Sequence, residues 1–251
     1  MAWYKKFFEK YYLDLYIPRE KFKPSYVKKE VTFIKQVLNL PRGAKILDLC
    51  CGHGRHLLPL AKMGYQMTGL DLSKKALVML AESAKNKKIK VQIIRSDMRK
   101  IPFKNEFDAV INMFSAFGYL ETEYEDFKVL KAVAKALKPG GKFLIDIMNR
   151  DWVLANFQPK SWEKVGKLLV LEERIYNPKT RCNTVKIQIP NKKGRWHKIA
   201  HIHRMYSLRE MRENLSKAGF KIVKVYGNTI GNQKFTKDSR RLVILATKQD
   251  S

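Results

Sequence analysis

Three aspartates end predicted strands and could bind a ligand together. Asp48 follows KIL, Asp71 ends MTGLD and Asp97 ends VQIIRSD. Open α/β sheets bind their ligands at the edge where the carboxyl ends of parallel strands meet. A carboxylate at that edge can accept hydrogen bonds from both hydroxyls of a ribose, which suits Asp71, and Asp97 could accept one from an adenine amino group.

A glycine pair, Gly52 and Gly54, follows the first of these strands in the segment ILDLCCGHGRHLLPL, residues 46–60. A dinucleotide-binding loop would have a third glycine where Leu57 stands, and a P-loop would have Gly-Lys-Ser or Gly-Lys-Thr after four spacers. The segment has neither pattern. Acidic residues beside an incomplete glycine loop suit a ligand without phosphates. The sequence therefore indicates an adenosine that carries a positive substituent.

Strand and helix signals alternate from residue 45 to residue 146, which is the pattern of a parallel sheet covered by helices. Helices are predicted over 55–63, from Ser73, and over 126–137, where Pro139 and the glycines of LKPGGK would end the last helix. The predicted strands are KILDL, MTGLD, VQIIRSD, FDAVINM and GKFLIDI.

The apolar spacing changes to two after Asn149, which predicts a three-stranded antiparallel meander of LLVLEERIY, CNTVKIQI and RWHKIAHIHRMY. A helix then begins with a capping box, Ser207 and Glu210, and the strands KIVKVYG and RLVILAT follow it. The predicted fold class is α/β. It has a doubly wound, Rossmann-like, seven-stranded and mostly parallel sheet, N-terminal helices and an antiparallel β insertion.

The chain is strongly basic, with 51 Lys and Arg residues against 23 Asp and Glu and a formal net charge of +28. Polyanions bind such a surface. Because the excess is spread along the chain, we interpret it mainly as a solvated face, and nucleic acid is possible as a partner but not favoured.

Other features of composition bear on location and metals. The sequence has no stretch near the roughly 18 apolar residues of a membrane span, and its N-terminus lacks the apolar segment of a signal peptide. We therefore expect a cytoplasmic protein with no membrane partner. Three cysteines, two of them adjacent, fit neither a disulfide framework nor a paired CxxC site, so we expect reduced thiols and no metal.

Together these motifs resemble those of the class I S-adenosylmethionine-dependent methyltransferases, over nearly the whole chain. The family's first motif, strand-Asp-x-Gly-x-Gly-x-Gly, is matched by DLCCGHG at residues 48–54, with Cys50 in place of the first glycine. GLDLS, SDMRKIPF, FDAVINMF and LKPGGKFLIDI match later motifs. The resemblance implies S-adenosylmethionine as the cofactor and S-adenosylhomocysteine as the product. The cofactor-binding residues expected on this basis are Asp48, Cys50, Gly52, Gly54, Asp71, Leu72, Asp97, Met98, Met113 and Phe114.

The predicted N-terminal helix adds a further cofactor residue. Tyr12 could reach from it towards the methionine carboxylate, and so could Tyr16. Arg55 and His56, at the start of the first core helix, are further candidates for that carboxylate. The alternatives are packing for the tyrosines and solvent exposure for Arg55.

The chain is also similar to a bacterial and archaeal subgroup of small-molecule type. The shared features are an aromatic N-terminal helix, a CCGxGRH loop, a run like FSAFGYL, a phrase like NRDW and a β insertion after the fifth strand. The resemblance implies an acceptor site under a lid. The expected units are an N-terminal helical cap over 1–39, an S-adenosylmethionine-binding core over 40–150, a β-rich insertion and acceptor lid over 151–206, and a C-terminal helix with closing strands over 207–251.

Candidates for the chemistry itself are weak. Tyr119, in SAFGYL, could form a wall of the acceptor pocket. His201 and His203 lie two residues apart and so face one way on a strand, where His201 could act as a general base or belong to an ordinary polar face. A metal role is disfavoured because no third ligand is apparent. Asp151, past the fifth strand, could cap the segment DWVLANF.

The expected function is direct in-line methyl transfer from S-adenosylmethionine to a small-molecule acceptor. Two alternatives stay open: an RNA methyltransferase that uses the basic surface, and a non-catalytic protein that binds S-adenosylmethionine. The RNA alternative is weakened because NMFSA, residues 112–116, lacks the Asn/Asp-Pro-Pro-aromatic motif with which base-amino methyltransferases hold a flipped base.

Overall fold

The computed structural model describes residues 2–19, 23–166, 168–190, 196–231 and 233–249. Helices and two sheets make up these parts of the chain. The helices are α1 (Trp3–Lys10), α2 (Tyr12–Tyr16), α3 (Pro24–Leu38), α4 (Leu57–Lys62), α5 (Lys74–Asn86), α6 (Glu123–Ala136), α7 (Arg150–Ala155) and α8 (Leu208–Lys217). The strands are β1 (Lys45–Leu49), β2 (Gln66–Asp71), β3 (Gln92–Arg95), β4 (Phe107–Asn112), β5 (Leu137–Met148), β6 (Lys160–Val165), β7 (Leu168–Asn177), β8 (Cys182–Pro190), β9 (Trp196–Arg204), β10 (Phe220–Tyr226) and β11 (Arg241–Lys248).

The larger sheet has seven strands in the order β10-β11-β5-β4-β1-β2-β3. Strands β1 to β5 pair in parallel, whereas β11 runs antiparallel to both β5 and β10. The chain moves outward from β1 first through β2 and β3 and then through β4 and β5, so the order reverses between β1 and β4. This arrangement confirms the predicted doubly wound, mostly parallel sheet, and it has a switch point between β1 and β4.

Helices cover both faces of this sheet, and so its central strands contain runs of consecutive apolar residues. On one face α3, α4 and α5 contribute Ile34, Leu57 and Leu80 to a buried cluster. On the other face α6 and α8 contribute Leu130 and Leu215. Parallel strands buried on both sides have continuous apolar runs of this kind, which is why the sequence predicts this part of the fold well.

The second sheet is antiparallel, with the order β6-β7-β8-β9, and it packs against the N-terminal helices. Aromatic and aliphatic side chains of α1 and α2 meet the inward-facing side chains of the sheet. The buried members of this cluster are Phe7, Leu15, Val165, Val170, Val185, Ile187 and Ile199. The insertion therefore supports the N-terminal helices.

The structure corrects four details of the sequence prediction. The predicted meander has four strands, since the polar segment KSWEKV forms β6 with Trp162 71% exposed. Leu137 begins β5 directly after α6, so Pro139 lies in the strand and does not end the helix by a turn. The Thr122 hydroxyl, which accepts a hydrogen bond from the amide of Glu125, starts α6 three residues early. The predicted helix over 55–63 begins only at Leu57.

A fifth correction concerns the cap of α7. Asn149, not Asp151, caps this helix, because the Asn149 side chain accepts a hydrogen bond from the amide of Asp151. The capping box at Ser207 and Glu210 is present as predicted, with both of its hydrogen bonds formed.

Candidate active site

A cavity opens at the carboxyl ends of β1, β2 and β4, beside the switch point of the sheet. Tyr4, Phe8 and Tyr12, named here the aromatic cover, line it from α1 and α2. Tyr119 lines it as well, whereas Gly54 and His201 do not. The predicted cofactor residues that line the cavity are Tyr12, Asp48, Cys50, Gly52, Asp71, Leu72, Asp97, Met98, Met113 and Phe114.

Asp71 holds the glycine loop while facing the cavity. One of its carboxylate oxygens accepts a hydrogen bond from the amide of Gly52 at 2.8 Å, and the other accepts one from the amide of Ser73 at 2.9 Å. Burial raises the pKa of Asp71, although these backbone hydrogen bonds oppose the rise. A carboxylate offers about four acceptor positions, so the two backbone bonds leave capacity for a ribose diol.

Cys50 has a left-handed backbone, with a φ of 63°. The resemblance puts it where the family's motif has glycine, the residue that adopts this conformation without strain. Its amide donates to the carbonyl of Leu70 at 2.7 Å, which ties the loop to β2. Burial and the neighbouring carboxylates raise the pKa of the Cys50 thiol, so it stays protonated and is no nucleophile.

Gly54 is in the glycine loop for packing, away from the cavity. Its φ is +83°, and a β-carbon built on it would lie 2.3 Å from Cδ1 of Leu80 on α5. Because glycine has no side chain, the loop and α5 can approach each other closely at this position.

Asp48 is the most unusual carboxyl group of the cavity. It is 2% exposed, and its Oδ2 has no hydrogen-bond partner among the described residues. Burial raises the pKa of Asp48 to about 8. A cation in the cavity would favour the carboxylate form, so this unpartnered oxygen fits a ligand that carries an ammonium group, as the amino acid part of S-adenosylmethionine does.

Asp97 lines the cavity at the end nearest β3 and is held there by Arg99. The guanidinium donates to Asp97 Oδ1 at 2.9 Å and to Oδ2 at 2.6 Å. Burial raises the pKa of Asp97, but the hydrogen bonds from Arg99 outweigh it and the pKa lies below its usual value. Arg99 also donates to the hydroxyl of Tyr4 at 3.1 Å, so this end of the cavity and the aromatic cover are connected.

Residues 113–121, named here the β4 loop, line the opposite end of the cavity. Phe114 and Ser115 both have left-handed backbones, with φ of 63° and 57°. Asp146 holds them, since its Oδ2 accepts from the amide of Phe114 at 2.9 Å and its carbonyl from the amide of Ser115 at 2.8 Å. Arg241 donates to Asp146 Oδ1 at 2.7 Å. A buried ion pair thus maintains a strained turn in the cavity wall.

Strand β9 holds the rest of the β4 loop. The Arg204 amide donates to the carbonyl of Gly118 at 2.7 Å, and His203 Nε2 donates to that of Phe117 at 2.8 Å. The Arg204 guanidinium adds hydrogen bonds to the carbonyls of Leu120 and Glu121 and a 2.7 Å ion pair with the buried Asp126. The insertion thereby fixes one wall of the cavity without lining it.

The aromatic cover and the β4 loop meet through ring contacts. The centroid of Tyr119 lies 5.0 Å from that of Phe8, and the ring of His203 stacks on Tyr119 at 4.5 Å. Tyr12 stacks on Tyr16 at 4.7 Å. Burial raises the pKa of Tyr16 to about 12 and those of Tyr12 and Tyr119 further, so all three side chains remain neutral phenols at physiological pH.

His201 lies beside this wall and is 5% exposed. Its ring is 4.9 Å from that of Phe7 and 6.0 Å from that of Tyr119, and neither ring nitrogen has a hydrogen-bond partner among the described residues. Burial lowers the pKa of His201 to about 3, and that of His203 to about 4. Both imidazoles are therefore neutral at physiological pH, which makes them poor bases.

Arg55 and His56 line the cavity and share a buried partner on α3. Glu30 Oε2 lies 3.0 Å from the Arg55 guanidinium and 2.9 Å from His56 Nε2. The Arg55 guanidinium also lies 4.7 Å from the ring centroid of Phe114. The sequence analysis missed Glu30, Ser115 and the hydrogen bond to Asp146 that holds the β4 loop. These contacts join residues far apart in the sequence, and no local pattern predicts such contacts.

Two kinds of feature are absent from residues 2–19, 23–166, 168–190, 196–231 and 233–249. There, no group of three or more His, Cys, Asp or Glu side chains is placed to hold a metal ion. No helix in those parts is both long enough and apolar enough to cross a membrane.

Sequence comparison matches the core of this fold to a known domain. Residues 46–141 match the model of a methyltransferase domain. The Bacillus subtilis (strain 168) protein YqeM, named as a methyltransferase, is 34% identical over 110 residues, which are 43% of this chain and 44% of that protein. The dTDP-3-amino-3,4,6-trideoxy-alpha-D-glucopyranose N,N-dimethyltransferase of Streptomyces venezuelae is 32% identical over 106 residues, 42% of this chain and 43% of that protein. The chain thus spans less than half of either curated relative.

Solved structures extend the likeness to the whole fold. An S-adenosylmethionine-dependent methyltransferase from Clostridium acetobutylicum ATCC 824 has a TM-score of 0.80 and 20% identity, covering 98% of this chain and 99% of its own. CalS10, an amino pentose methyltransferase from Micromonospora echinaspora with S-adenosylmethionine bound, has a TM-score of 0.71 and 21% identity, covering 95% of this chain and 96% of its own. Residues 46–141 are thus similar to a methyltransferase domain, and the described fold is that of solved S-adenosylmethionine-dependent methyltransferases.

Proposed function

We propose that the protein transfers the methyl group of S-adenosylmethionine to a small-molecule acceptor held between the β4 loop and the aromatic cover. The observation that carries this proposal is one continuous cavity, which has carboxylates at the β2 and β3 end and aromatic rings at the β4 end. When bound, S-adenosylmethionine supplies a methyl group on a positively charged sulfur, which is already activated for attack. The work left to the protein is to position the acceptor and exclude water.

The cofactor assignment follows the order of the strands. Asp97 and Asp71, at β3 and β2, would hold the adenine and the ribose, with Leu72 and Met98 against the base. Asp48, at β1, would face the ammonium group through its unpartnered oxygen. Tyr12 would close this part of the cavity from α2. The methyl group would then point towards β4, where Met113 and Phe114 begin the acceptor side.

A small acceptor is supported by the way the β4 end is closed. Phe8 of the aromatic cover and Tyr119 enclose this end, with their ring centroids 5.0 Å apart, and the Arg99 to Tyr4 hydrogen bond anchors α1 at the other end, beside Asp97. The insertion over 151–206, which we expect to serve as a lid, would act by holding the β4 loop and by supporting α1 and α2. The names of two relatives agree with a small acceptor, since one acts on an amino sugar nucleotide and the other on an amino pentose.

Label transfer tests this proposal. The protein is incubated with methyl-labelled S-adenosylmethionine and a prokaryotic cell extract that has been separated into low-mass metabolites and macromolecules. We expect label in the metabolite fraction. Label that ribonuclease releases from the macromolecules would instead assign the function to RNA and give the basic surface a role. If the protein binds S-adenosylmethionine and labels neither fraction, the non-catalytic alternative is correct.

A further inference from the structure

Ser115 presents an unpartnered hydroxyl in the wall of the cavity. The residue is 7% exposed, and its Oγ has no hydrogen-bond partner among the described residues. It lines the cavity next to Phe114. Burying a hydroxyl without a partner is destabilising, so a ligand that binds it would recover the lost hydrogen bond.

The backbone of Ser115 adds a second, independent observation. Two consecutive non-glycine residues, Phe114 and Ser115, are left-handed, and the buried pair of Asp146 and Arg241 keeps them so. Strain of this kind persists only where the surrounding structure imposes it, and it is concentrated at functional sites. The turn thus holds the buried hydroxyl of Ser115 in a residue of the cavity wall.

Sheet order assigns this hydroxyl to the acceptor side of the cavity. Asp97 and Asp71 follow β3 and β2, whereas Ser115 follows β4, on the other side of β1. An adenosine held at the first end extends towards β4, and Ser115 lies past Met113, where the cofactor would end. We propose that Ser115 Oγ binds the acceptor, and that this acceptor is a small primary or secondary amine whose N–H donates to the hydroxyl. This inference rests on the proposed function.

The ionisable groups around Tyr119 favour nitrogen over oxygen as the acceptor atom. A hydroxyl acceptor must give up its proton to a base as it attacks. The residues of the β4 loop that line the cavity include no carboxylate and no imidazole, and neither His201 nor His203 lines it. Tyr119 does line it, but its raised pKa keeps the phenol protonated, so this end of the cavity offers no good base. An amine that reaches the cavity after losing its ammonium proton to water has a free lone pair and needs no protein base at the moment of attack.

The step balances without a further reactant. The nitrogen lone pair forms the bond to the methyl carbon while the electron pair of the sulfur–carbon bond stays with sulfur, and the product ammonium then releases one proton to water. The positive charge that develops on nitrogen lies near the rings of Phe8 and Tyr119, whose faces attract cations.

Two substitutions at one position test the role of the hydroxyl. Ser115→Ala removes it, and Ser115→Gly removes it while relieving the left-handed strain, so the second variant guards against misfolding. We expect both to bind S-adenosylmethionine as the native protein does and to lose about tenfold in labelled transfer at limiting metabolite concentration, with KM affected more than kcat. Ser216→Ala, on the exposed surface of α8, makes the same chemical change and should alter neither quantity.

A chemical block tests the acceptor class. The low-mass metabolite fraction is treated with an amine-selective acetylating ester before the assay, and a mock-treated fraction is the control. We expect acetylation to abolish labelled transfer. Transfer that persists after acetylation refutes an amine acceptor. Native rates of transfer in both Ser115 variants refute the contact between Ser115 and the acceptor. Weakened binding of S-adenosylmethionine in both variants would instead assign Ser115 to the cofactor. In each of these cases the native protein still transfers label to the untreated metabolites, so the proposed function is kept. If the native protein transfers no label to them, the proposed function itself is wrong.

Discussion

Replacing Asp71 by alanine should weaken the binding of S-adenosylmethionine by about 1.5–3 kcal/mol, the value of hydrogen bonds to a charged group. This loss is about a 10- to 150-fold increase in Kd. The structure adds a second contribution, because the Asp71 carboxylate also accepts from the amides of Gly52 and Ser73. The variant therefore loses the ribose acceptor and the support of the glycine loop together, and the upper half of the range is expected.

Titration calorimetry separates the two contributions. Adenosine and 2′,3′-dideoxyadenosine differ only in the diol, so the native protein should prefer adenosine, and Asp71→Ala should lose most of that preference. Asp238→Ala, at an exposed position outside the cavity, is the matched control. The reasoning is refuted if Asp71→Ala binds S-adenosylmethionine with native affinity, or if it weakens both nucleosides equally, which would mean that Asp71 acts only through the loop.

Three other predictions concern stability. The pKa of Asp48 is raised from its ordinary value of 3.8 to about 8 in the folded protein, so ligand-free protein should lose stability as the pH rises from about 4 to about 8, and Asp48→Asn should flatten that loss in thermal scans; parallel curves would contradict the raised pKa. Arg204→Leu leaves the buried carboxylate of Asp126 unpaired and should cost about 3–5 kcal/mol in urea unfolding, while adding Asp126→Leu should recover much of it; strictly additive losses would argue against the ion pair. Cys50→Gly relieves a left-handed backbone and should raise the unfolding free energy by about 1 kcal/mol with cofactor binding kept; a clear loss would mean that thiol packing outweighs strain.

The sequence predicts the parts of the molecule whose signals are local. Strand β1 has Asp48 just before its last residue and is followed by the glycine loop, and this order alone predicts the sheet edge and the type of ligand. The cap of α8 is likewise contained in four residues. Strand β6 was missed because its outward face is polar and only Val165 at its end is buried, so the segment lacks the alternation of an ordinary half-buried strand.

The missed parts of the candidate site depend on contacts between distant segments. Ser115 is unremarkable in the sequence, and its left-handed backbone results from Asp146, 31 positions further on, and from Arg241 on the last strand. Gly54 was assigned to the ligand because its motif suggested it, but the position of Leu80 on α5 decides its role. Tertiary packing therefore determines both the left-handed backbone of Ser115 and the packing role of Gly54, and no local sequence pattern predicts it.

The hydrogen bonds between β9 and the β4 loop have a consequence for how this protein can diversify. Because His203 and Arg204 hold the carbonyls of residues 117–121, a change in β9 reaches the pocket wall through the backbone. The outward side chains of β6 and β7 make no such connection in the described chain. Natural variants could therefore acquire new surfaces on the outer strands while keeping one acceptor, whereas a new acceptor would require changes in β9 and the β4 loop together.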